Sequence, residues 1–327
     1  MNNINISEIL LGNTSFFASK SCFTTGISYN EHKVPSMTTM VINGIFSPIA
    51  VLLNSLIILI ICRTTSLQDV PENILIAGLS LADLLTGVLT QPLFVLSKVL
   101  WLKCNGLYST ISDNVLVPSM LMCSGSAFVF IAALSLEKVL ALHFHLRYNS
   151  IITTKRTWIF TGTAWLSIFL FSLLLGLEVV DQNTMNSASS FVGSVCIVIT
   201  LVALIRILTT VKRHRRQISA QISHIRRANP HLQVPELTSW QAALREIKRA
   251  INLAYFVGLY FIFFTPHLVL QLYKVVNNIK IGSLVNYYVS TETILFIRAS
   301  FSPVVWLLRK REFRNALKTV WAGERGS

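Results

Sequence analysis

A chain of 327 residues that is 53% hydrophobic and only 13% charged, with mean hydropathy +0.60, is composed for lipid rather than water. Soluble domains carry roughly a quarter charged residues. The net charge of +14 would suit nucleic acid, but it is sorted: 19 of the 28 Lys and Arg fall on one side of the apolar segments assigned below and six on the other. That is the positive-inside pattern, which sets the N-terminus outside and makes nucleic acid a poor partner.

Residues 1–37 read as an extracellular tail. They lack the basic start, apolar run and small-residue cleavage site of a secretory leader, so the first apolar segment is expected to act as its own insertion signal. Asn5-Ile6-Ser7 and Asn13-Thr14-Ser15 fit the N-glycosylation acceptor pattern. Continuous apolar stretches follow at about 38–62, 73–98, 114–142, 157–179, 188–211, 250–273 and 284–308. Roughly 20 apolar residues cross a hydrocarbon core of about 30 Å. Lipid offers no partner to an unpaired backbone amide, so each stretch is expected to be helical. The fold class is therefore all-α, a seven-transmembrane-helix bundle over 38–308.

The longest cytoplasmic connection, about 212–249, opens on Lys212-Arg213-His214-Arg215-Arg216 and is broken at Pro230 and Pro235. Helix is expected at both of its ends, with irregular chain between. Its charges can simply fix topology and meet anionic membrane lipid; a further role stays open. Residues 309–327 hold a short amphipathic cytoplasmic helix and tail, with Phe313, Leu317 and Val320 on one face among basic residues. Of the five cysteines, Cys62, Cys123 and Cys196 lie within spans, where a small buried apolar role is expected. Cys22 and Cys104 face the oxidising side, so any disulfide joins those two.

Charges inside spans are the first candidates for function. Asp83 falls near mid-bilayer, where an ionised carboxylate costs some ~2.5–3.5 kcal/mol on insertion scales. It is either a neutral hydrogen-bonded acid or the partner of a cation. Arg298 stays charged wherever it is buried. Glu137 and Lys138 are neighbours in sequence, point about 100° apart on a helix, and are expected to find partners elsewhere. Glu292 lies eleven residues before Pro303, hence about 16 Å further out. With His267, Gln271 and Tyr288 it lines a pocket, or else it faces a wet vestibule.

The motifs occur in order. Asn54 is followed by Leu79-Ser80-Leu81-Ala82-Asp83, then Glu137-Lys138-Val139 with Leu140 to Tyr148, and then Trp165. Phe263-Phe264-Thr265-Pro266, Ser302-Pro303-Val304-Val305-Trp306 and Glu312-Phe313-Arg314 complete the set. Together they resemble the rhodopsin-like (class A) G-protein-coupled receptors over roughly residues 38–320. The Glu-Lys-Val segment stands where that family has Asp-Arg-Tyr, Phe264 where it has the tryptophan of Cys-Trp-x-Pro, and Ser302 to Trp306 where it has Asn-Pro-x-x-Tyr. The resemblance implies a plasma-membrane receptor, multi-pass, with an unknown extracellular ligand, heterotrimeric G proteins at the cytoplasmic face and no cofactor. A constitutive, decoy or weakly coupling receptor is the alternative.

The family comparison also assigns roles. Glu246 matches an acidic residue that pairs with the basic member of the Asp-Arg-Tyr box, here Lys138. Family members hold sodium at the aspartate corresponding to Asp83, with help from positions that here are Ala127, Arg298 and Ser302. The expectation is an Asp83–Arg298 ion pair in place of the cation. Amine receptors place an aspartate where this chain has Met120. The cysteine at the top of span three is replaced by Asp113, the loop at about 180–187 has no cysteine, and span five lacks the usual proline and tyrosine, with Leu204 at the latter. A retinal protein would need a lysine where Phe296 stands. An enzyme is not expected, since no His-Glu-x-x-His, Gly-x-Ser-x-Gly or phosphate loop occurs. An ion or solute carrier is less favoured, because the span count is odd and no internal repeat is visible.

Overall fold

The computed structural model describes residues 29–144, 147–179, 182–228, 251, 254–270, 273, 277 and 284–323. Asn5, Asn13, Cys22, Glu246 and Gln271 lie outside the described residues. In chain order the main helices are α1 (Tyr29–Arg63), α2 (Pro71–Leu102), α3 (Leu107–His143), α4 (Thr154–Gly176), α5 (Gln182–Ala228), α6 (Ala254–Leu270), α7 (Val285–Arg309) and α8 (Arg311–Gly323). Among these, six are long and apolar enough to cross a bilayer and α6 is a shorter apolar helix. The fold is a seven-helix bundle followed by an amphipathic helix.

Hydropathy marks where lipid begins, not where a helix ends. Thus α1 starts at Tyr29, ahead of its apolar stretch, and α5 runs on to Ala228, well into the basic connection that follows. Two helices change pitch for a local reason. The segments Thr86–Thr90 in α2 and Ser112–Leu116 in α3 widen into π-turns, and each runs straight into a proline, Pro92 and Pro118. Proline brings no N–H and its ring crowds the carbonyl one turn back; slipping to i→i+5 pairing relieves both. The start of α4 is capped by Thr153, whose hydroxyl accepts from the Arg156 amide at 3.3 Å.

Helices α2, α7 and α3 form the centre: 67%, 56% and 44% of their most apolar stretches are buried, against 17% in α4 and 22% in α5, which face lipid. α1 packs on α7 and α2, and α3 packs on α4 and α5. The α1–α2 approach is close because Gly87 has no side chain; a Cβ there would fall 2.9 Å from a Val51 methyl. Polar ties reinforce it. Asn54 donates to the carbonyls of Ala50 and Ala299, both at 2.9 Å, so one amide joins α1 to α7. Asn43 donates to Thr293 Oγ1 at 2.9 Å and accepts from Gln91 at 3.3 Å, linking α1, α7 and α2 further out. Phe313 is fully buried and seats α8 beneath the bundle.

Candidate functional site

Three sets of charges are stacked through the bundle, and each sits where particular helices bring it. The innermost begins with Glu72, in the first turn of α2 next to Pro71. Its two carboxylate oxygens take one lysine each: Lys138 of α3 at 2.8 Å and Lys310, between α7 and α8, at 2.8 Å. Lys138 also contacts Glu137 at 3.2 Å, and Glu137 accepts from the Tyr148 hydroxyl. Lys310 donates to Asn73 Oδ1 at 3.1 Å and lies over the Trp306 and Phe313 rings. Burial pulls the Lys310 ammonium below the ordinary lysine range, and the Glu72 carboxylate pushes it back up.

Two acids and two lysines, all buried, make a neutral cluster. Charges taken out of water persist only when each has a close partner and its remaining valences are bonded. The pairing is achieved by joining α2, α3, α7 and α8 at one point, with Glu137 Oε2 left only its 3.2 Å contact to Lys138. Glu137 and Lys138 each have a partner elsewhere, Tyr148 and Glu72 respectively, and they also contact each other at 3.2 Å.

The middle set is Asp83 of α2 and Arg298 of α7. The guanidinium Nη2 lies 2.6 Å from Asp83 Oδ1, and Nη1 lies 3.5 Å from Oδ2. Nη1 also reaches Ser302 Oγ at 3.4 Å, and the guanidinium lies over the Tyr260 ring of α6 at 5.4 Å. Both charges are buried. This donor set does not suit sodium: a guanidinium faces the carboxylate, and Ala127 supplies no oxygen.

Aromatic residues carry this level across to α6. Phe264 meets Phe128 of α3 edge-on at 4.6 Å and stacks with Tyr260 at 6.1 Å. Trp306 packs on Phe256 at 4.3 Å. Trp165 lies against Phe130 at 6.1 Å and lines an apolar groove open to lipid, shared with Leu81 and Phe169. Pro266 and Pro303 stand inside α6 and α7.

The outer set lies above a floor of Phe94, Leu116, Val289 and Phe296, with Met120 packed against it. Tyr288 is buried and its ring meets that of His267 at 6.1 Å; His267 Nδ1 is 3.3 Å from Thr291 Oγ1. Glu292 is half-buried on the same face of α7. Opposite it on α2 stands Lys98, whose ammonium is 4.9 Å from the centre of the Phe94 ring. The sequence places Lys98 among the outside charges, yet it is 6% exposed and inside the bundle. On the rim, Cys104 is disulfide-bonded to a partner outside the described residues, while Cys62, Cys123 and Cys196 are free.

Sequence reasoning missed Glu72, Lys310 and Lys98. Glu72 and Lys310 sit at the edge of the spans, where charge is ordinary, and their burial depends on partners 66 and more residues away. A signal existed for Lys98: the apolar residues Val99, Leu100, Trp101 and Leu102 follow it without a break, so it belongs to the span and not to the loop.

A helical bundle with this layering is the architecture of a seven-span receptor. The family model of seven-transmembrane receptors of the rhodopsin family matches residues 53–306. The chain belongs to that family; it is a membrane receptor and not an enzyme. It is similar to the human D(4) dopamine receptor, 33% identical over 116 residues that make up 35% of this chain and 26% of that receptor. The aligned region thus spans about a quarter of that relative's length.

Proposed function

We propose that the chain is a plasma-membrane receptor that takes an extracellular ligand in the outer half of the bundle and acts through heterotrimeric G proteins at its cytoplasmic face. The observation that carries this is the buried cluster of Glu72, Glu137, Lys138 and Lys310. It draws together the cytoplasmic ends of α2, α3 and the α7–α8 junction, the face a G protein would have to open. A ligand held between α2 and α7 is connected to that face through the Asp83–Arg298 level of the same two helices. The relative's name points to dopamine, but Met120 stands where amine receptors place their aspartate, so an amine of that kind is not the ligand supported here.

A second reading has its own support. Lys138 is held by two carboxylates and almost fully buried, so releasing it costs more than releasing an exposed lock. That favours a weakly coupling or decoy receptor. Nucleotide exchange on purified G proteins, measured in membranes with wild type and with Glu72→Gln, separates the readings. The proposal expects low wild-type exchange that rises several-fold when Glu72 loses its charge. Exchange that stays at the receptor-free level in both, with normal surface delivery, supports the decoy reading.

A further inference from the structure

The charges of the bundle are closed by direct contact at two levels and open at the third. In the Glu72 cluster each of the four charges has a partner at 2.8–3.2 Å, and at mid-bilayer the pair meets at 2.6 Å. At the outer level Lys98 makes no hydrogen bond or ion pair among the described residues, although it is 6% exposed, and Glu292 likewise has none. A charge withdrawn from water without a partner is strongly unfavourable. Among the described residues Lys98 is the anomaly.

The geometry between the two is fixed by the rung beneath them. Phe94 of α2 and Phe296 of α7 meet edge-on with centroids 5.6 Å apart. Lys98 follows Phe94 by four residues and Glu292 precedes Phe296 by four, so each lies one turn further out on the same face as its phenylalanine. The two charges therefore face each other across one gap over an aromatic floor. They act on each other electrostatically, yet they do not come within ion-pair distance. No other described carboxylate acts on Lys98, and no other described cation acts on Glu292. His32 of α1, edge-on to Trp101 at 4.4 Å, closes the rim beside Lys98.

A ligand bearing only a cation would satisfy Glu292 and be repelled by Lys98. One bearing only an anion would meet the reverse. We infer that the outer site takes a small zwitterion with an α-amino-acid headgroup, its carboxylate on Lys98 and its ammonium on Glu292, its side chain lying on the Phe94–Phe296 floor. Such a ligand completes the outer level as a neutral four-charge set of the kind already built at the cytoplasmic end. This rests on the reading that the outer bundle is the ligand site, and it adds the ligand's chemical class.

The test reads binding without coupling. Purified full-length protein in lipid nanodiscs is heated with each of the free α-amino acids at millimolar concentration, since a ligand that binds only the folded state raises the midpoint. Each stabilising amino acid is then compared with the matched amine lacking the carboxylate and the matched acid lacking the ammonium. The inference expects at least one amino acid to raise the midpoint by several degrees, with both single-charge analogues clearly weaker. Lys98→Met and Glu292→Gln should each weaken that amino acid by ~30-fold or more, the usual effect of truncating one partner of a buried charge pair. Lys98→Met should gain affinity for the amine, and Glu292→Gln for the acid. Stabilisation by no amino acid, or equal stabilisation by the amine or acid alone, overturns the inference, and neither result depends on a variant folding. Nucleotide exchange stands apart, so a failed binding test and a failed coupling test are separate outcomes.

Discussion

Asp83 and Arg298 show how much a single pair can settle. An ionised carboxylate at mid-bilayer is tolerable because the guanidinium lies 2.6 Å away and its second nitrogen is shared between Asp83 and Ser302. Removing one partner of such a pair typically costs about 3–5 kcal/mol, since the survivor is buried alone. Asp83→Asn and Arg298→Gln should each lower the thermal midpoint and surface delivery, and the double variant should recover much of the loss. A double variant no better than the worse single one would show that the two charges act independently. Added sodium should leave ligand affinity of the wild type unchanged, because the carboxylate is already engaged; a sodium-dependent shift would contradict the pairing. Each residue was legible as a rare charge inside an apolar span, but their pairing was legible only through the family resemblance, which brings spans two and seven together at this level. Glu72 was not: a carboxylate in the first turn of a helix has an ordinary local explanation in the helix dipole, and only the folded chain brings Lys138 and Lys310 to it.

At the scale of the element, the spans themselves were the easiest part to read, because hydropathy over about 20 residues has no other solution in lipid than a helix. Their ends were harder. The start of α1 and the extension of α5 lie in polar chain where helix continues for local reasons that hydropathy does not report. The π-turns before Pro92 and Pro118 were signalled by the prolines alone. Helix α8 is held in two ways, by Phe313 in the core and by Lys310 bridging to Glu72 and Asn73 on α2. Lys310→Gln should therefore loosen α8 without detaching it. Hydrogen exchange is expected to rise along residues 311–319 and stay unchanged in α4. Equal exchange in wild type and variant would mean that Phe313 and the membrane surface suffice to seat the helix.

For the whole molecule the governing fact is the direction in which it crosses the membrane, and the structure sharpens the argument from charge. Two lysines leave the original tally of flanking charges, one from each side. Lys98 is buried within α2, and Lys310 is neutralised by Glu72 at the α7–α8 junction. The imbalance survives their removal, since the basic residues that dominate it lie in the connection around 212–249 and after α7. Lys and Arg within about 15–20 residues of a span resist translocation, so the side that carries them stays in the cytoplasm. The disulfide at Cys104 agrees in sign, because disulfides persist on the oxidising side, and Cys104 lies at the end of the bundle opposite Glu72. The expected outcome is an N-terminal epitope tag that is stained on intact cells and a C-terminal tag that is stained only after permeabilisation. The same experiment with Lys212, Arg213, Arg215 and Arg216 all changed to glutamine should leave the orientation in place, because the remaining basic residues near α3, α4, α6 and α8 still outweigh the outer side. A C-terminal tag accessible on intact wild-type cells would invert the assignment, putting the Glu72 cluster outside and the Lys98–Glu292 gap towards the cytoplasm.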